Sequence, residues 1–150
     1  MKKDISTFLN ATHGPTEAER LAQKAKEALS DLVDTYLIQV NQDFLTMQNL
    51  LDQAYSASSE NRFHIIRDDF FVKMHDLKGQ GATFDYPILT EIGRFTCDFL
   101  RQKKKITLSD LDVLKDILSD VDLVLKNKLT DSGGKMGKEI LDRLKTRKNG

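Results

Sequence analysis

Apolar residues at Val33, Leu37, Val40, Phe44, Met47, Leu51 and Ala54 alternate in steps of four and three along the chain. That heptad seam predicts a helix from about Leu29 to Ala54, packed in left-handed bundle geometry. Phe63, Ile66, Phe70, Leu77, Gly81 and Phe84 mark the inner face of a second predicted helix that begins near Ser59. Ile88, Ile92, Phe95 and Phe99 predict a third, opened by Asp85-Tyr86-Pro87, because proline is tolerated in a first turn. Leu111, Leu114, Leu118, Val121 and Leu125 predict a fourth, with Ser109 as its N-cap. Thr16 to Ser30 reads as a shorter leading helix and Lys138 to Leu144 as a trailing one. Neither Gly nor Pro occurs from Thr16 to Lys78, or from Arg94 to Ser132, and a sheet protein needs turn residues more often than that. The expected fold is all-α: an antiparallel four-helix bundle with additional short N- and C-terminal helices. Residues 1–150 are expected to form one domain, with the bundle core at about 29–129 and a basic helical tail at 133–150.

Composition narrows the function classes. Hydrophobic residues are 39% and charged ones 31%, enough apolar surface for a core and against long disorder. Lys plus Arg equals Asp plus Glu at 23 each, so the chain lacks the excess of cations that a general nucleic-acid binder uses to displace counterions. Cys97 is the sole cysteine, which excludes an internal disulfide and a cysteine-built zinc site. No apolar run approaches the ~20 residues of a membrane span, and Met1-Lys2-Lys3-Asp4 leads into no signal-peptide apolar stretch. A soluble cytoplasmic protein is expected, a monomer, with no membrane and no nucleic-acid partner.

His75 is the informative histidine. At about 100° per residue, Phe70, Ile66, Leu77 and Phe84 lie more than roughly 130° from it, so the predicted core faces away. His64, Asp68, Phe71, Val72, Lys78, Gly79 and Ala82 lie within about 60° of it. A glycine inside a helix costs about 0.5–1 kcal/mol relative to Ala, so Gly79 calls for an offsetting role. Without a side chain there, the imidazole is open to another protein or a bulky phosphate. Lys78 can set an ammonium beside an anion held on the ring. An accessible imidazole, a clear approach and a counter-charge suit a nucleophile that accepts a phosphoryl group. The bland alternatives are an ordinary surface histidine and a glycine placed for helix packing.

His75-Asp76-Leu77-Lys78-Gly79, followed by Gln80-Gly81-Ala82-Thr83-Phe84, closely resembles the HxLKG motif of histidine-containing phosphotransfer (HPt) domains. The specific match covers about ten residues, and the architectural one most of Leu29 to Leu129. The resemblance implies a four-helix bundle that relays a phosphoryl group between receiver-domain aspartates in a two-component phosphorelay. His75 would then be the phosphoacceptor, Lys78 its charge partner and Gly79 the access glycine. The partners implied are response-regulator receiver domains or a hybrid sensor histidine kinase, docking over His64, Asp68, Phe71, Val72 and Ala82. The chain would be a phosphocarrier rather than an enzyme, with no ATP site and no cofactor of its own, since the Mg²⁺ used in such transfer belongs to the receiver. The alternative is an HPt-like helical module that binds a kinase or receiver without carrying phosphate. Two positions depart from the family pattern. Asp85 stands where a second glycine often breaks the helix, though Asp tolerates a turn conformation. Cys97 stands where a polar residue, often Gln, reaches the imidazole, and a thiol is a weaker partner. Arg94 and Arg101 lie on the same side of that helix as Cys97 and are candidates to support the phosphate; for Cys97 a half-buried filler is the bland reading.

The remaining candidates are weaker. His64 reads as a rim contact and His13 as loop, and no two histidines have the spacing of a helical metal pair, so no metal site is expected. Arg101 to Lys105 is a basic run at a helix end, where cations suit the macrodipole. Lys135, Lys138, Arg143, Lys145, Arg147 and Lys148 make the tail basic, for solubility or for an anionic partner. Gly133-Gly134 and Gly137-Lys138 lack the spacing and preceding strand of a phosphate-binding loop.

Overall fold

The computed structural model of the chain describes residues 14–56 and 61–149, without the side chains of residues 61–65 and 149. Among the described residues the protein is all-helical and has no strand. The helices are α1 (Glu17–Ser56), α2 (Asn61–Gln80), α3 (Pro87–Arg101), α4 (Leu108–Lys126) and α5 (Gly134–Asn149), with a 3-10 turn at Ala82–Phe84. None is long and apolar enough to cross a membrane, among the described residues. The described residues fall into two units that divide after Leu37, and α1 contributes to each.

In the first unit, α1 opens with a capping box: Glu19 N–H donates to Thr16 Oγ1 at 3.1 Å and Thr16 N–H to Glu19 Oε2 at 3.2 Å. The predicted leading helix and the helix expected to start near Leu29 are one continuous helix of 40 residues. Ala28-Leu29-Ser30-Asp31 contains no breaker, so nothing interrupts the backbone ladder there. His13 lies outside the described residues.

In the second unit the seam of α1 is buried as expected at Val40, Phe44, Met47, Leu51 and Ala54. α2 and α3 form an antiparallel hairpin. Near its turn, Gly81 packs against Thr90; further along, Cys97 lies by Phe71; at the far end Arg67 donates to the Lys103 carbonyl at 2.9 Å. The helix expected to run through Phe84 stops at Gln80. Thr90 Oγ1 accepts from the Ala82 N–H at 2.8 Å, and Asp85 turns the chain at φ 70°. Asp85 thus holds the left-handed conformation that glycine often supplies. A hydrogen bond to Asp131 and partial desolvation hold its carboxyl above the usual carboxylate range.

α3 is buried more widely than its sequence pattern predicts. Ile88, Leu89, Ile92, Thr96, Cys97 and Leu100 are buried, whereas Phe95 and Phe99, expected in the core, are half-buried and stack on each other at 6.3 Å. α3 packs against α2, α4 and α5 together, so small and aliphatic residues fill the tight faces and the two rings lie at the rim. In α4 the N-cap is Thr107 rather than Ser109. Thr107 Oγ1 accepts from the Asp110 N–H at 3.2 Å and Asp110 returns the bond at 2.9 Å, a reciprocal pair that Ser109 cannot match. Leu125 is half-buried, and Ile117 and Val124 join the buried face instead. Tyr55 near the end of α1 donates to Asp112 Oδ1 of α4 at 2.5 Å, and Lys73 of α2 pairs with Asp43 of α1 at 3.2 Å.

The basic tail forms α5, longer than the predicted Lys138 to Leu144, and it is docked rather than freely solvated. Ile140 and Leu144 are buried. Arg143 Nη2 reaches Asp120 Oδ1 at 2.6 Å and Arg147 Nη1 reaches Asp120 Oδ2 at 3.3 Å. Two of the tail's cations therefore neutralise a buried carboxylate of α4, while Lys135, Lys138, Lys145 and Lys148 stay exposed.

Candidate functional site around His75

Phe70, Met74 and Leu77 recur at steps of four and three on α2 and are at most 2% exposed. That spacing turns one stripe of the helix inward and leaves His75 on the opposite side, exposed. Phe71, one turn earlier, stacks on the imidazole with ring centroids 6.2 Å apart. The same Phe71 ring lies 5.2 Å from the Arg101 guanidinium carbon, a cation–π contact delivered from α3. Phe71 therefore links His75 to a cation from the neighbouring helix.

Lys78 follows His75 by three residues, is half-buried and makes no ion pair among the described residues. Asp68, Val72, Gly79 and Ala82 are exposed on the same side of α2, with Asp68 paired to Arg67 at 3.3 Å. The backbone of His64 lies in α2, but its side chain falls outside the described residues.

The glycines separate into two kinds. A Cβ on Gly79 would meet no atom within 4 Å. On Gly93 it would lie 2.6 Å from both the Met74 carbonyl oxygen and the Lys78 nitrogen, and on Gly81 it would lie 2.6 Å from Thr90 Oγ1. Gly81 and Gly93 allow α2 and α3 to approach closely under the His75 segment, whereas Gly79 packs against nothing. The packing explanation for Gly79 is removed. Gly79 sits in the last turn of α2, next to Gln80, rather than mid-helix.

The candidates on α3 divide as well. Arg101 reaches Phe71 and also pairs with Asp98 at 3.4 Å. Arg94 pairs with Glu91 on its own helix at 2.5 Å. Cys97 is fully buried, with Sγ 4.0 Å from the Phe71 carbonyl oxygen. Burial pushes its thiol up, against the opposing pull of the Arg101 and Lys78 charges. Cys97 thus fills space beneath the face as a protonated thiol.

Sequence reasoning passed over Gly93, Thr90 and the Lys73–Asp43 pair, which ties α2 to α1 two residues before His75. An isolated glycine within a helical pattern was the available signal for Gly93. The other two pair residues distant in sequence and carry no local signature. Among the described residues no group of three His, Cys, Asp or Glu side chains is placed to hold a metal ion. No protein-family model, curated protein or solved structure matches the chain.

Proposed function

We propose that the protein is a histidine phosphotransfer protein of HPt type, an antiparallel four-helix bundle that relays a phosphoryl group between receiver-domain aspartates through His75. The observation that carries this reading is Gly79. It packs against nothing and clears the space one turn beyond an exposed imidazole. Lys78, without a carboxylate partner among the described residues, supports the same reading as a charge held ready for an incoming anion.

A neutral ring nitrogen of His75 attacks the phosphorus of a receiver's aspartyl phosphate in line. The N–P bond forms as the P–O bond to the aspartate breaks, and the carboxylate leaves with the bonding electron pair. The lone pair used in attack is present in imidazole and absent from imidazolium, so acid slows the step. The Lys78 ammonium offsets charge on the phosphoryl oxygens, and Arg101 adds positive potential from behind Phe71. A second receiver aspartate takes the group by the reverse displacement. Exposed Val72 and Ala82 and half-buried Phe71 offer apolar area for docking. The partner's Mg²⁺ serves the aspartate side, in a cytoplasmic setting.

Incubation with a phosphorylated receiver domain tests this. Wild type is expected to take acid-labile, base-stable label and His75→Gln none. Equal labelling of both variants overturns the assignment, and receiver binding without label on wild type favours a module that docks without carrying phosphate.

A further inference from the structure

The described part of residues 1–37 presents an exposed helical face. Residues 15–32 are all exposed, and Leu21, Leu29 and Leu32 are 60%, 56% and 56% exposed. At about 100° per residue these leucines and Ala25 and Ala28 fall within about 60° of a single line along α1. A helical stretch of this length is marginal in water without tertiary packing, and an exposed apolar stripe of this kind marks an interaction site.

We infer that this face pairs antiparallel with the same face of a second copy of the chain. The charges beside the stripe choose the occupant. In an antiparallel register, Leu32 meets the partner's Leu21 and Ala25 meets the partner's Ala28, so the apolar layers close on themselves. Lys24 then faces the partner's Asp31, and Asp31 the partner's Lys24, giving two ion pairs related by the dyad. A parallel pairing sets Lys24 against Leu29 and Glu17 against Ala22 and forms no such pair. Lys26 meets its own copy near the dyad, and the two Lys24–Asp31 pairs outnumber that single repulsion. The small Ala25 and Ala28 let the helices approach closely. This replaces the expectation of a monomer, and it stands whether or not His75 carries phosphate.

Sedimentation equilibrium on the full chain, from low to high micromolar concentration, tests the pairing. Wild type is expected to sediment at twice the chain mass, and Leu21→Glu/Leu32→Glu at the chain mass, with a loss of helicity by circular dichroism no larger than the 17–32 stretch accounts for. Lys24→Glu and Asp31→Lys are each expected to weaken association roughly tenfold, as like charges replace two ion pairs. The double swap Lys24→Glu/Asp31→Lys is expected to restore it. A wild type that stays monomeric at every concentration overturns the inference. So does a leucine variant that remains dimeric, or a charge swap that fails to restore association. A chain that dimerises only once residues 1–13 are removed also overturns it, since that segment would then be the occupant of the face.

Discussion

Asp120 is 3% exposed and held by two arginines, whereas Lys78, on a helix of the same unit, meets no carboxylate among the described residues. The difference follows from desolvation. A carboxylate removed from water loses its hydration and must recover it from fixed partners, so Asp120 takes both Arg143 and Arg147. Arg143 in turn is held above its ordinary range chiefly by the hydrogen bonds it donates to Asp120. Lys78 is half-buried, keeps contact with solvent, and stays available. One charge is spent on docking α5 and the other is left beside His75.

The widest separation is expected between these two sites. Arg143→Ala/Arg147→Ala strands the buried Asp120 carboxylate and is expected to destabilise the fold by about 3 kcal/mol in denaturant unfolding, toward the lower end for a broken buried pair because Arg143 is partly exposed. Phosphoryl transfer by the fraction that remains folded should be unchanged. Lys78→Ala should shift stability by less than about 0.5 kcal/mol while slowing transfer roughly tenfold. Equal unfolding losses in both variants would erase the contrast.

The paired glycines sharpen it at a smaller scale. Gly93→Ala drives a methyl into backbone atoms at 2.6 Å and is expected to cost about 1–3 kcal/mol. Gly79→Ala meets open space in the last turn of α2 and is expected to change stability by less than about 0.5 kcal/mol, with slower transfer where the new side chain obstructs docking. Thermal unfolding and transfer kinetics of the two variants check both. A Gly79→Ala protein less stable than wild type by a larger margin would point to a packing role.

The smallest effect concerns Tyr55. Burial and the hydrogen bond to Asp112 push its phenol up to about 12. A raised pKa means the folded state favours the neutral phenol. Its contribution is therefore complete below the ordinary value of about 10 and disappears as pH rises through about 12. Tyr55→Phe should flatten the alkaline decline in stability between those values, and an unchanged decline would count against this contact.

The outward placement of His75 was legible in the order of residues. His75 faces out because Phe70, Met74 and Leu77 face in, and that relation is set by helical repeat alone. Its support was less legible. Arg94 and Arg101 are equivalent by spacing, yet Arg101 reaches Phe71 and Arg94 turns to Glu91, because side-chain partners depend on which atoms the next helix brings near. Cys97 sits at the expected step on α3 but lies under Phe71 rather than at the imidazole, since the close approach that Gly93 allows sets the register between α2 and α3.

Sequence alone determined the helical class, the inward seam of α1 past Val40, the outward side of His75 and a turn at Asp85, since 3.6-residue periodicity and turn preferences are properties of the local backbone. Tertiary structure decided that α1 runs unbroken, that α3 buries a wider face than its isoleucine–phenylalanine spacing predicts, that the basic tail docks on Asp120, and which glycines are packed. Those outcomes depend on what occupies the other side of a helix, and no spacing along one strand of sequence carries that information.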